Sequence, residues 1–123
     1  MTAPAAVVRF LDAVAARDLE AVMACFVEEP RYAVAVPHPP LVGVAVREMF
    51  DGLFQKAEKV RWDVVSATAA DDRVWLERVD RFWFDGREVT IECAGVFELA
   101  DGRIREVRDY VDMQTWRDRR GTA

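Results

Sequence analysis

The stretch from Val74 to Met113 contains VWLERVDRFWF (74–84), Asp85-Gly86, VTIECAGVFEL (89–99), Asp101-Gly102 and RIREVRDYVDM (103–113). Apolar and polar residues alternate along each run, which is the period of a strand with one covered face. Asp-Gly between alternating runs is the strongest short-range hairpin signal, so these runs pair antiparallel. The run Val60 to Ala69 has the same period and ends at Asp71-Asp72. The C-terminal half therefore reads as a four-stranded antiparallel meander.

Upstream of Val60 the period lengthens to that of a helix. Between Pro4 and Ala16 the residues Val7, Phe10, Leu11 and Val14 form one apolar stripe. Asp18 reads as the cap of a second short helix carrying Leu19, Val22, Met23 and Phe26, expected to end around Glu28-Glu29-Pro30. Arg31 to Val36 reads as an edge strand, because Pro37-His38-Pro39-Pro40 cannot continue a ladder. After Gly43, the residues Val46, Met49, Phe50, Leu53 and Phe54 predict a third amphipathic helix. Helices followed by strands, with no repeat and no linker, predict one α+β domain over residues 1–123. Its three helices cover one face of a curved antiparallel sheet, leaving a cone with an open mouth. Residues 117–123 are charged and patternless, so this tail is expected to fray.

A formal net charge of -5, without a Lys/Arg-rich run, argues against nucleic acid or an anionic membrane as partner. Charges at Arg9, Asp12, Arg17 and Asp18 interrupt the N-terminal stretch, which suits neither a signal peptide nor a spanning helix and leads to the expectation of a cytoplasmic protein. Cys25 and Cys93 belong to no CxxC or Cys/His cluster and are expected as free, buried thiols. The one histidine, His38, lies between prolines and reads as a plain loop residue. Without a ligand cluster or a phosphate loop, no metal or cofactor is expected.

The chemistry is concentrated on two strands. Within residues 74–84, Arg78 and Asp80 share a face with Leu76, Phe82 and Phe84, so two charges lie in an apolar stripe. On the next-but-one strand Asp109 falls between Val107 and Val111, on a face assigned also to Arg105 and Met113. If the strands approach across the cone, the Arg78 fork can hold both carboxylates. Two carboxylates on one cation tend to keep one proton, which places an acid beside a base. Spacing alone leaves a second reading open, in which Arg78 and Asp80 form a surface pair and Asp109 is an ordinary strand-end acid.

The segment from Leu76 to Asp112 contains Glu77-Arg78-Val79-Asp80, Gly95-Val96-Phe97-Glu98-Leu99, Asp101-Gly102-Arg103-Ile104 and Arg108-Asp109-Tyr110-Val111-Asp112. It resembles the limonene-1,2-epoxide hydrolase family. A looser likeness extends over nearly the whole chain, through Tyr32, Pro37–Pro40, Gly43 and Gly52-Leu53-Phe54. The resemblance implies a cone of the nuclear-transport-factor-two-like, SnoaL-like class. It also implies a homodimer packed through the outer sheet face, where Trp75 and Trp83 would lie. It assigns Asp80 as general acid, Asp109 as the base acting on water, Arg78 as their bridge and Tyr32 as a positioning hydroxyl. Phe82, Ile91, Cys93, Val111 and Trp116, with Val34 and Leu53 beside them, would then contact a small hydrophobic epoxide, and no cofactor would take part. Two positions depart from the family pattern. Val34 stands where the family has a water-binding asparagine, and Val107 replaces a common tryptophan; the chain has no asparagine at all. Other readings are an epoxide-opening cyclase using the substrate's own hydroxyl, a SnoaL-like or ketosteroid-isomerase-like proton-transfer enzyme, and a non-catalytic ligand-binding module.

Overall fold

The computed structural model of the protein describes residues 3–121. Helix α1 (Ala5–Ala15) buries Val7, Phe10, Ala13 and Val14, the stripe its spacing requires. Phe10 is the hub of the core: its ring meets Phe26 at 5.6 Å, Phe97 at 5.7 Å and Phe50 at 5.9 Å, all edge-on. Asp18 caps α2 (Leu19–Ala24), its side chain accepting from the Ala21 amide at 3.1 Å. Helix α3 (Val44–Lys56) follows Gly43, whose φ of 63° suits glycine, and buries Val46, Phe50 and Phe54.

Strands β1 (Phe26–Ala33), β2 (Leu41–Val42), β3 (Lys59–Ala70), β4 (Arg73–Phe84), β5 (Arg87–Ala100) and β6 (Arg103–Tyr110) form one sheet in the order β2-β1-β6-β5-β4-β3. The meander β3 to β6 is antiparallel as expected. At both Asp-Gly turns the two residues have positive φ, 50° and 78° at Asp85-Gly86 and 50° and 76° at Asp101-Gly102. That is the backbone of a two-residue hairpin turn matched to strand twist. The sheet curls without closing, and the helices pack inside the curl. This is the nuclear-transport-factor-two-like α+β cone.

The structure corrects the expected course in four places. The second helix ends at Ala24 rather than near Pro30, because Cys25 and Phe26 enter the sheet: the Ile104 amide bonds the Cys25 carbonyl at 2.8 Å and Phe26 pairs with Ile104. Strand β1 is an inner strand, flanked by β2 and lying parallel to β6, so the sheet is mixed and Arg31 is not on its edge. Along β6 the register shifts opposite Glu98 and Leu99, so Ile104 is buried while Arg105 is exposed, reversing their expected faces.

The fourth correction concerns the C-terminus. The last run stops at Tyr110, and Asp112 caps a fourth helix, α4 (Met113–Arg120), by accepting from the Gln114 amide at 3.1 Å and the Thr115 hydroxyl at 2.8 Å. Arg119 ties α4 to the Thr90 carbonyl at 3.1 Å and to Glu92 at 2.7 Å, so the chain expected to fray from Arg117 is helical to Arg120. Residues 122–123 of that tail lie outside the described residues.

Candidate active site

Register decides which side chains can meet. On β4, Arg78 and Asp80 point inward two residues apart, opposite Cys93 and Ile91 of β5. On β6, Asp109 points inward opposite Gly95 of β5, which itself faces Leu76 of β4. Arg78 therefore has to reach over β5 to touch Asp109, and the place it passes is Gly95. A Cβ there would lie 2.5 Å from Arg78 Nη1 and 2.8 Å from Asp109 Oδ1. The absence of a side chain at that one position opens the path.

Through this gap Arg78 makes both contacts that the sequence suggested. Its Nε donates to Asp80 Oδ1 at 2.6 Å, and Nη2 donates to Asp80 Oδ2 at 3.1 Å and to Asp109 Oδ2 at 2.8 Å. The guanidinium also lies 4.7 Å from the centroid of the Trp62 ring, and Trp62 pairs with Asp80 across β3 and β4. Tyr32, delivered by β1, donates its hydroxyl to Asp109 Oδ2 at 2.9 Å. Arg78 is 1 % exposed, and Asp80 and Asp109 are each 5 % exposed, which rules out a solvated surface pair. Asp109 Oδ1 and Arg78 Nη1 have no partner among the described residues.

Burial sets the protonation of this cluster. It pushes Asp80 up to about 6; attraction and hydrogen bonding from Arg78 oppose the rise, and the nearby Asp109 adds to it. Burial, then the charge of Asp109, raises the Tyr32 phenol well above its ordinary range, so Tyr32 is a hydrogen-bond donor at any physiological pH. Burial also raises the Cys93 thiol far above its usual value, keeping it protonated. For Arg78 burial acts against the charge, but Asp109 and Asp80 more than offset it and hold the guanidinium charged.

The cluster forms the floor of a cavity of about 560 Å³ enclosed by the cone. Tyr32, Asp80 and Asp109 line it, as do Val34, Leu53, Phe82, Ile91, Cys93, Val111 and Trp116. Arg78 lies behind the two carboxylates and does not face the cavity. Trp116 closes one wall, its ring edge-on to Phe82 at 5.0 Å. Val34 stands at the mouth, 41 % exposed. His38 is exposed and does not line the cavity. Cys25 and Cys93 are both free and buried.

Sequence reasoning missed Gly95, Trp62, Met49, Phe84 and Met113 as parts of the site. An isolated glycine inside a strand pattern was the available signal for Gly95, since such glycines mark close approach by other atoms. Trp62 carried a weaker one, its parity with Val60 in the alternating run. Among the described residues no cluster of His, Cys, Asp or Glu is suited to a metal ion, and no helix is long and apolar enough to cross a membrane.

The family model for the SnoaL-like domain matches residues 7–107. The chain belongs to that family. Among solved structures, this SnoaL-like chain is similar to an LEH-like epoxide hydrolase of M. tuberculosis, at 25 % identity and a TM-score of 0.80 over 92 % of this chain and 84 % of the other. It shares its fold with SalBIII, an epoxide hydrolase/cyclase-like enzyme of pyran ring formation in the polyether salinomycin, at 22 % identity and a TM-score of 0.79 over 89 % and 90 % of the two chains. A SnoaL-like polyketide cyclase from Shewanella denitrificans has the same fold, at 10 % identity and a TM-score of 0.82 over 93 % of each chain. These likenesses support a role as an enzyme or ligand binder of the SnoaL-like fold.

Proposed function

We propose that the protein opens a small hydrophobic epoxide by one-step general acid/base attack of water, with no covalent enzyme intermediate. The observation that carries this reading is one guanidinium bonded to two buried carboxylates on the floor of an apolar cavity. One positive and two negative charges leave an excess negative charge, which a single proton on the carboxylates neutralises. Asp80, raised to about 6, is suited to carry it near neutral pH.

In the proposed step Asp80 gives its proton to the epoxide oxygen as the ring C–O bond breaks. Water forms the new C–O bond and loses a proton to Asp109. Tyr32 and Arg78 both donate to Oδ2 of Asp109 and hold that carboxylate in place beside the cavity. The product is a diol, and the enzyme is left with its proton on Asp109; return of the proton to Asp80 restores the starting state. Arg78 stays charged throughout and acts, like Tyr32, by positioning.

Incubation with limonene oxide, cyclohexene oxide and styrene oxide in isotopically labelled water is expected to yield diols with one labelled oxygen. No turnover across such a panel overturns the reading. Val34 favours a second nucleophile, because a valine cannot hold a water by a hydrogen bond. A hydroxy-epoxide that returns an unlabelled cyclic ether instead of a diol would show that the site activates the substrate's own hydroxyl.

The acid role has a signed pH dependence. Only protonated Asp80 can donate, so kcat/KM is expected to hold below pH 6 and to fall as pH rises through about 6, approaching tenfold per unit beyond it. The check is an enzyme-minus-blank rate profile between about pH 5 and pH 8. A rate that climbs with pH over that range excludes Asp80 as the donor. Trp75 and Tyr110, exposed on the outer sheet face, support the homodimer expected for the family.

A further inference from the structure

Resting on the reading above, we propose that the substrate carries a carboxylate at the end remote from the epoxide, and that Lys56 and Arg120 bind it at the cavity mouth. Helix α3 turns Glu48, Met49, Gly52, Leu53 and Lys56 toward the cavity. At 1.5 Å of rise per residue, Glu48 and Lys56 stand about 12 Å apart along the helix. The mouth is therefore electrically divided, with an acid at one end and bases at the other.

The basic end is well defined. Just past Lys56, the Glu58 amide bonds the Trp83 carbonyl at 2.9 Å, which sets the end of α3 beside the end of β4. Arg120 reaches the same place from α4, its guanidinium 3.8 Å from the centroid of the Phe84 ring. Among the described residues no carboxylate pairs with Lys56 or Arg120, while Glu58, the acid nearest to Lys56 in sequence, accepts from the Gly86 amide. Cations at helix C-termini also complement the helix dipole. That effect alone does not select Arg120, because Arg117 and Arg119 occupy the same last turn and neither lines the cavity.

The span between the two ends specifies the ligand. Asp80 and Phe84 share the inner face of β4 four residues apart, about 13 Å at strand rise. The wall between them is Phe82 and Phe84 with Trp116 opposite. An apolar chain of roughly ten bonded atoms covers that distance at ordinary bond lengths of about 1.5 Å. The class is a medium-chain epoxy acid, with its ring at the aspartates and its carboxylate at the mouth.

The test compares an epoxydecanoate with its methyl ester at low ionic strength. Wild-type protein is expected to prefer the acid by about tenfold or more in kcat/KM, and the Lys56→Gln/Arg120→Gln protein to lose most of that preference. Added salt is expected to weaken it as well, because the pair is near solvent. Equal kcat/KM for acid and ester in the wild type overturns the carboxylate site and leaves the hydrolase standing. If neither compound is turned over, calorimetric titration with decanoate and methyl decanoate decides. Tighter binding of decanoate, lost in the double variant, supports the site and refutes the hydrolase; equal binding overturns the site.

Discussion

Asp109→Asn is expected to lower epoxide turnover by about 10³-fold, within the range for loss of a general base, while the protein stays folded. Both bonds received by Asp109 go to Oδ2, from Arg78 and Tyr32, and Oδ1 has no partner. An asparagine can place its carbonyl oxygen where Oδ2 lies and its amide group in the unpaired position, so the hydrogen bonds survive. What is lost is the ability to take a proton. The substitution also leaves Arg78 and Asp80 as a one-to-one pair, removing a charge that raises Asp80. The falling limb of the residual pH profile should therefore move to lower pH. A loss smaller than tenfold, or a limb that stays in place, would remove Asp109 from the role of base.

The second large effect belongs to a residue with no chemistry of its own. Gly95→Ala is expected to destabilise the protein by about 3 kcal/mol, the upper end for overpacking a close-packed interior. The added Cβ would meet Arg78 Nη1 at 2.5 Å and Asp109 Oδ1 at 2.8 Å, and each is held by its other bonds. Relief by moving Arg78 breaks a buried ion pair, which is also costly. Activity should fall with stability, because the acid and base lose their common cation. Gly52→Ala is the matched control. Nothing lies within 4 Å of its Cβ, so a helix-interior glycine exchanged there should raise stability by roughly 0.5–1 kcal/mol. A Gly95→Ala protein as stable as the wild type would sink the account of how Arg78 crosses β5.

How much could be read beforehand depended on whether each periodic signal stayed in phase. Along β4 the alternation runs unbroken from Val74 to Phe84, so the inward face of Leu76, Arg78, Asp80, Phe82 and Phe84 was legible, and with it half of the site. On β6 an extra residue opposite Glu98 and Leu99 shifts the phase, and a period-two pattern cannot register a bulge. Asp109, downstream of it, was placed correctly from its valine neighbours. Phe26 continues the helical spacing of Leu19 and Val22, yet it pairs with Ile104 across the sheet; long-range pairing overrode the local pattern. Helix α4 fully buries none of its residues and is held by arginine contacts and by one aromatic, Trp116, against Phe82 and Phe84, so it left no apolar stripe to find. The cavity lining came mainly from family resemblance, and the role of Gly95 depends on a register between three strands that no single run contains.

The parallel docking of β1 on β6 governs when the site exists. Arg78 and Asp80 are two positions apart, and the hairpins of the meander close over short loops, the kind of event that takes microseconds. Tyr32 and Asp109 are 77 positions apart, and their contact waits for β1 to arrive beside β6. Closing so long a loop is entropically slow, so non-local strands of this kind set the folding rate. The acid and its arginine thus belong to the early part of the folding path, and the hydroxyl that steadies the base arrives last. Truncations in β1 should therefore slow folding, because the docking of that strand is the slow step.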